Sequence, residues 1–342
     1  MIEIDGSIGW GQVLRTAIAL SCLILKPVKI INIRKDRPKP GLMNQHLMGV
    51  KTAAEFCNAH VKGVNIGSMD VEFSPKKHYF ESKYIDIKTA GSISLLLQTL
   101  TPFLIFSDKE IELAMKGGTA GLGAPTIEFM KYLTFPIISK LGVKEPEIKI
   151  VQQGFYPRGG GVVKIKFFPT EKLNAIKLLE RGKVEKIKGI SISGSLPIEV
   201  SYRQATGAKN LLLEKFEDVE IVPQSVDTLS RGTSITLWAN CEKSILGSDC
   251  IGKKGVPAET IGRESANELI KSIESNAVLD KYMSDQIIPY IALAEGKSEV
   301  KVEEITEHCR TNMKVCEQIL GVKFDVDEKK KIISVEGIGY QK

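Results

Sequence analysis

The chain has 342 residues, enough for about two domains that each bury a core of their own. Its 43% hydrophobic and 26% charged residues are ordinary for a globular protein, and no run approaches the roughly 18 to 20 uninterrupted apolar residues of a membrane span. The net charge of +6 is modest for this size, so it permits a polyanionic partner without demanding one.

The opening MIEIDGSIGWGQ has neither the basic start nor the long apolar stretch of a secretory leader, which leads us to expect a cytoplasmic protein. Beyond it, periodicity predicts a unit that recurs three times. The first copy has a helix over Gln12 to Leu25, a strand over Val28 to Ile33, a helix over Gln45 to Ala59 and a strand pair around Val64 to Phe73. The second has a helix over 92–106, the strand EIELAMKGG, a helix over Pro125 to Leu141 and two strands in EIKIVQQGFYPRGGGVVKIKFF. The third has SDQIIPYIALA, the strand SEVKVEEI, a helix at His308, and the strands VKFDV and KIISVEGIGY. Helix, strand, helix and strand pair make a small sheet with two helices on it, and three such units share a core better than any one could alone.

About ninety residues separate the second and third copies, and they have their own rhythm. A strand (KIKGISISG), a helix over Val200 to Phe216, a strand (VEIVP), a hairpin from SITLWANC to DCIGKK and a helix over Glu259 to Ile273 read as an inserted α/β domain. The expected division is therefore 1–183 with 275–342 as the large domain and 184–274 as the insertion. None of the six cysteines falls in a CxxC or Cys/His zinc spacing. Cys22, Cys57 and Cys316 lie on apolar helix faces, and only Cys241 and Cys250 are placed where a hairpin would let them pair.

One of only four histidines stands at a helix start in EITEHCRTNMKVCEQILG. Cys309, Met313, Cys316 and Ile319 recur at helical spacing, Thr306 suits the N-cap, and Gly321 suits the position past the end. His308 then lies in the first turn, where the helix dipole favours a neutral imidazole and attracts an anion. A half-buried histidine without chemistry is the plainer reading of this stretch alone.

Overlaying the copies brings in further helix starts. In the first copy Asn44 is expected as cap with His46 two places on, as His308 stands two places after Thr306. In the second, Pro125 suits the first helical position and leaves Thr126 in the corresponding place. A pseudo-threefold relation would let these starts converge on one anion site. RKDRPKPGLMNQHL adds Arg34, Lys35, Arg37 and Lys39 on a loop stiffened by Pro38 and Pro40, and paired arginines grip phosphate bidentately. A solvated basic turn is the competing reading. In DKYMSDQI, Tyr282, Asp285 and Gln286 open a helix, where Asp285 either caps it or holds a ligand, capping being the commoner use. In GFYPRGGG the glycines fit a plain hairpin turn as well as close approach to a ligand.

GQVLRTAIALS, NIRKDRPKPGLMNQHL, TAGSISLLLQTLTP, GGTAGLGAP, GFYPRGGG, YMSDQIIPYIALA and HCRTN together resemble the RNA 3'-terminal phosphate cyclase family, over the whole chain except the insertion. The resemblance implies an α/β (α+β) fold of three βαβαββ-type units, each a four-stranded sheet with two helices, plus a smaller inserted α/β domain. It implies that ATP is the cosubstrate, RNA with a 3'-phosphate end the partner, and a 2',3'-cyclic phosphate the product. His308 matches the nucleophile that carries AMP as a phosphoramidate. Arg15, Arg34, Arg37, Gln45 and His46 match phosphate-binding positions, Gln98 and Pro125 lie by the adenosine, and Tyr282, Asp285 and Gln286 line the nucleotide pocket.

A divalent metal, Mg2+ or Mn2+, is implied to bridge the triphosphate. The family's acidic ligand before the Q-x-L-R segment has no counterpart between Gly6 and Gln12, however, so no metal ligand is assigned. Two other functions compete. A ribosome-assembly branch of the superfamily lacks the catalytic histidine, making a non-catalytic RNA-binding scaffold the alternative; His308 argues against it and the altered loop weakly for it. Enolpyruvyl transferases use a similar repeated unit, but none of their motifs is present.

Overall fold

The run VLRTAIALSCLIL is apolar on every side, and a helix with that pattern has to be enclosed. The computed structural model, which describes residues 1–9 and 11–342, encloses it. β1 (Ile2–Asp5) leads into α1 (Gly11–Ile24), buried along nearly its whole length, followed by β2 (Val28–Ile31), α2 (Asn44–Phe56), β3 (His60–Lys62) and β4 (Val71–Ser74). The sheet order is β1-β2-β4-β3, with β1 and β2 parallel and the other pairs antiparallel.

The second unit repeats that order. β5 (Lys83–Asp86), α3 (Ile93–Leu104) and β6 (Ile111–Gly117) precede a second helix in three pieces. These are α4 (Ile127–Phe129), a π-helical turn over Met130–Thr134, and α5 (Phe135–Ser139). The π turn ends just before Pro136, which has no N–H for a regular α-helical ladder. β7 (Glu147–Gln152) and β8 (Gly161–Phe167) complete the order β5-β6-β8-β7.

Then comes β9 (Lys177–Leu178), only two residues long, and after it a differently wired unit. This has β10 (Val184–Gly194), α6 (Ile198–Leu213), β11 (Val219–Val226), β12 (Gly232–Cys241), β13 (Ile245–Ile251) and α7 (Ala258–Glu274). Its sheet runs β11-β10-β12-β13, so its first strand is internal, whereas the first strand of each repeat is an edge. The chain resumes with α8 (Met283–Gln286), α9 (Ile288–Leu293), β14 (Glu295–Lys301), α10 (Glu307–Leu320), β15 (Phe324–Asp327) and β16 (Ile332–Ile338). β14 pairs in parallel with β9, giving the order β9-β14-β16-β15. The third unit is thus a complete βαβαββ whose first strand lies upstream of the intervening residues. Periodicity announces neither β1, β5 nor β9, because two to four residues are too few to show alternation.

One apolar core runs through the three repeated units, from Ile4 to Val335, and a second occupies the span from Ile187 to Ile273. They meet at the second unit. Trp238 of β12 stacks on Tyr132 with ring centroids 4.4 Å apart and planes 3° from parallel. The Phe155 ring fills the space over Gly194 and Gly232, where an added Cβ would come within 2.6 and 2.4 Å of it.

Two local expectations need correction. The cap of α2 is Met43 rather than Asn44, and its N–H is taken by the His46 ring. Pro125 is not the first helical residue: Thr126 is the cap of α4, its hydroxyl accepting from Phe129 N–H at 3.1 Å. Cys241 and Cys250 do not pair, since the β12–β13 register sets Cys250 opposite Ile235, six residues or about 20 Å of strand from Cys241. Cys22, Cys57 and Cys316 are buried, as their apolar surroundings require. No helix among the described residues is long and apolar enough to cross a membrane.

Candidate active site

α10 ends and begins as its residues dictate. Thr306 caps the start by accepting from Cys309 N–H at 3.1 Å, and Gly321 closes the end in the left-handed region at φ 77°. His308 is the second helical residue, half-buried. Its pKa is lowered first by burial and then by the Arg15 and Arg37 charges, against a smaller opposing pull from Glu307. The ring is therefore neutral at neutral pH, with a lone pair to offer.

Arg15 reaches this place because α1 packs against α2, α3 and α10 at once. The contact between α1 and α10 is keyed by Thr16, whose hydroxyl donates to Asn312 Oδ1 at 2.7 Å, while Asn312 Nδ2 donates to the Asp285 carbonyl at 2.8 Å. Arg15 donates through Nη2 to Gln12 Oε1. Burial brings its pKa down to about 10, the Asp285 carboxylate opposing, and its Nε has no partner among the described residues. Burial likewise holds the Asp285 carboxyl up at about 7 against the pull of Arg15. Asp285 is not a cap. That work falls to Asp280, whose Oδ1 accepts from Tyr282 N–H at 3.0 Å and Met283 N–H at 2.9 Å.

His46 lies against the start of α1. An added Cβ on Gly11 would come within 2.6 Å of His46 Nε2 and 3.2 Å of Arg15 Nη1, so glycine alone admits this approach. His46 Nδ1 accepts from Met43 N–H at 3.1 Å, which leaves the ring proton on Nε2, facing the site. Burial, then Arg15 and Arg34, pushes its pKa down to about 3. Arg34 is held by donating to the Gly41 carbonyl at 2.6 Å, and its own pKa is lowered by burial and by Arg37. Lys35, Arg37 and Lys39 on the same loop are exposed.

The other implied positions divide. Gln98 and Gln286 line a cavity of about 20 Å³ with Gln12, Arg15 and Asp285, a volume suited to one water. Gln98 Oε1 has no partner there among the described residues. Gln286 is engaged, accepting from Thr134 Oγ1 at 3.1 Å. Gln45 accepts from Ser92 N–H at 2.9 Å, so its carbonyl holds the start of α3. Pro125 and Tyr282 stand at the second unit: the Tyr282 ring meets Phe129 edge-on at 6.0 Å, on the helix that Pro125 enters.

With the true caps in place, the residues two beyond the cap are Gln45, Glu128 and His308 rather than His46, Thr126 and His308. The three starts do not all converge. That of α4 is taken by the inserted unit, with Asp249 Oδ2 accepting from Thr126 N–H at 2.6 Å and Thr236 Oγ1 lying 2.7 Å from Thr126 Oγ1. Glu128 is 2% exposed there, and burial lifts its pKa to about 7. Asp280, Asn312 and Glu128 escape sequence reasoning because their roles depend on packing between units.

Unpaired polar atoms and cations about a neutral imidazole suit a phosphate-rich nucleotide such as ATP. Among the described residues no group of three or more His, Cys, Asp or Glu side chains is placed to hold a metal ion, and no residue is assigned as a metal ligand. Asp5 faces Ser7 N–H at 2.9 Å and Asn32 Nδ2 at 3.1 Å.

Fold and site together define an α/β protein that can hold a phosphate-bearing anion beside a neutral histidine. The family model for RNA 3'-terminal phosphate cyclase matches residues 7–326. Among curated relatives, the RNA 3'-terminal phosphate cyclase of Pyrobaculum aerophilum is 42% identical over 100% of this chain and 99% of its own. That of Methanosarcina mazei is 40% identical over 98% and 99%. Among solved structures, the enolpyruvyl transferase NikO from Streptomyces tendae aligns over 98% of this chain and 81% of its own at 11% identity and a TM-score of 0.27. The chain belongs to the RNA 3'-terminal phosphate cyclase family and is an enzyme of that class.

Proposed function

We propose that the enzyme converts an RNA 3'-terminal phosphate to a 2',3'-cyclic phosphate at the expense of ATP. In the first step an imidazole nitrogen of His308 attacks the α-phosphorus of ATP; the bond to the bridging oxygen breaks, pyrophosphate leaves, and AMP remains as a phosphoramidate. A 3'-phosphate oxygen of the RNA then attacks the same phosphorus, freeing His308 and giving an RNA-to-AMP anhydride. The neighbouring 2'-OH attacks the RNA phosphorus, AMP leaves, and the hydroxyl proton is lost to solvent.

The observation that carries this reading is the state of His308: half-buried at a helix start, its pKa lowered by burial and by Arg15 and Arg37. The same cations would neutralise the triphosphate, and nucleotidyl transfer depends mainly on such positioning and charge. His46 Nε2–H and Arg34 add donors on one side, while Gln98 and Tyr282 would border the nucleoside. Mg2+ or Mn2+, when bound to the triphosphate, would supply further neutralisation. The test is a 3'-phosphorylated oligoribonucleotide incubated with enzyme and ATP. A phosphatase-resistant, cyclic end is expected, and an end that stays phosphatase-sensitive overturns the proposal in favour of an RNA-binding scaffold.

A further inference from the structure

The tip between β7 and β8 carries the YPRGG of GFYPRGGG, and its glycines answer to the backbone. Gly159 and Gly160 have φ of 66° and 79°, and an added Cβ on Gly154 would come within 2.2 Å of Gly161 N. What these glycines accomplish is to wedge the tip between two other loops. On one side an added Cβ on Gly159 would come within 2.8 Å of Ala90 Cα. On the other, Arg158 N–H donates to Ser230 Oγ at 3.0 Å and Gly160 abuts Leu229.

The wedge holds Tyr156 out at 79% exposure, with Leu122 at 76% and Leu229 at 46% on the flanking turns. Arg158 and Arg231 are exposed as well, and neither pairs with a carboxylate among the described residues. Fixed backbone, an exposed ring and unpaired guanidinium groups are the elements of a single-strand binding surface. The strip is continuous with the active site. The 89–92 loop that supports the tip rests on Gln45: an added Cβ on Gly91 would come within 3.3 Å of Gln45 Cβ, and Ser92 N–H donates to the Gln45 side chain. Gln45 adjoins His46.

We infer that this strip, from Gln45 past Tyr156 and Arg158 to Arg231 on the inserted unit, binds the RNA strand upstream of its 3' end. Tyr156 stacks on a base and the two arginines pair with backbone phosphates, independent of sequence. The inference rests on the cyclase reading above and gives the inserted unit a share in substrate binding.

The experiment compares a 3'-phosphorylated RNA of about ten nucleotides with a 3'-phosphorylated dinucleotide, in the wild-type chain and in Tyr156→Ala, Arg158→Ala and Arg231→Ala. Each variant is expected to lose about tenfold in kcat/KM on the long RNA, to match wild type on the dinucleotide, and to accept AMP from α-labelled ATP at the wild-type rate. Tyr156→Trp restores the long substrate. In fluorescence anisotropy, each arginine removed lowers the salt slope of long-RNA binding by about 1. Variants that handle both RNAs as wild type does, or that lose equally on both, overturn the inference, as would be seen were the strip a site for a protein. Absence of cyclised ends in the wild type would count against the cyclase reading alone, because anisotropy decides the strip without turnover.

Discussion

Two helix starts occupy equivalent places in the repeated fold and have opposite fates. At the start of α10, His308 is half-buried and faces Arg15 and Arg37. At the start of α4, Glu128 is sealed under the inserted unit, where Asp249 supplies the carboxylate that a free anion would supply elsewhere. The dipole and the backbone amides that face an anion are common to both. What separates them is the company: cations and access in one case, a covalently supplied carboxylate and no access in the other. A repeated fold therefore offers several anion sites and uses packing between units to decide which remains open.

The comparison can be broken in three places. The largest expected effect is from Gly11→Ala, whose methyl would displace His46 and Arg15 from the open start; a hundredfold loss of adenylylation with native-like folding is expected. Wild-type labelling rates in that variant would show that this approach is unimportant. Next, Asp249→Ala leaves Thr126 N–H without its partner and should lower stability in denaturant by about 2 kcal/mol, with labelling per folded molecule unchanged. Loss of labelling at wild-type stability would mean that the sealed start takes part in chemistry.

The smallest effect depends on pH. The Glu128 carboxyl has its folded pKa raised to about 7, above its ordinary value of 4.5. The unfolded chain then releases this proton first, so the group lowers stability as pH rises from 4.5 through 7 and has no effect below that window. Glu128→Gln keeps an acceptor for Gln153 Nε2, which lies 2.5 Å from Glu128 Oε1, and removes the penalty. Thermal melts should show it about 1 kcal/mol more stable than wild type near pH 8 and equal to it near pH 4. A uniform shift at both pH values would contradict the assignment of a buried, uncharged carboxyl.

The order of helices and longer strands was legible because their apolar spacing is regular, and so were Thr306 and Gly321 as the ends of α10. The three short leading strands were not, and because β9 is too short to show alternation, the third unit starts upstream of where its apolar spacing puts it. Capping misled in two of three units. Asn44 and Pro125 have the right chemistry for a helix start, but tertiary contacts moved the boundary by one residue in α2 and two in α4, and shifted the overlay from His46 to Gln45. The arginines and histidines of the site were visible as residue types, and the resemblance assembled them. Asp280 at α8, the Asn312 bridge and the Asp249 plug were not visible, because each joins segments distant in sequence.

The central claim is that the open start of α10 carries a nucleophile, and labelling with ATP tests it most directly. Incubation with ATP labelled at the α-phosphate should leave acid-labile, alkali-stable label on the wild-type chain, γ-label should leave none, and His308→Ala should stay unlabelled with either. Retention of α-label by folded His308→Ala would contradict the account.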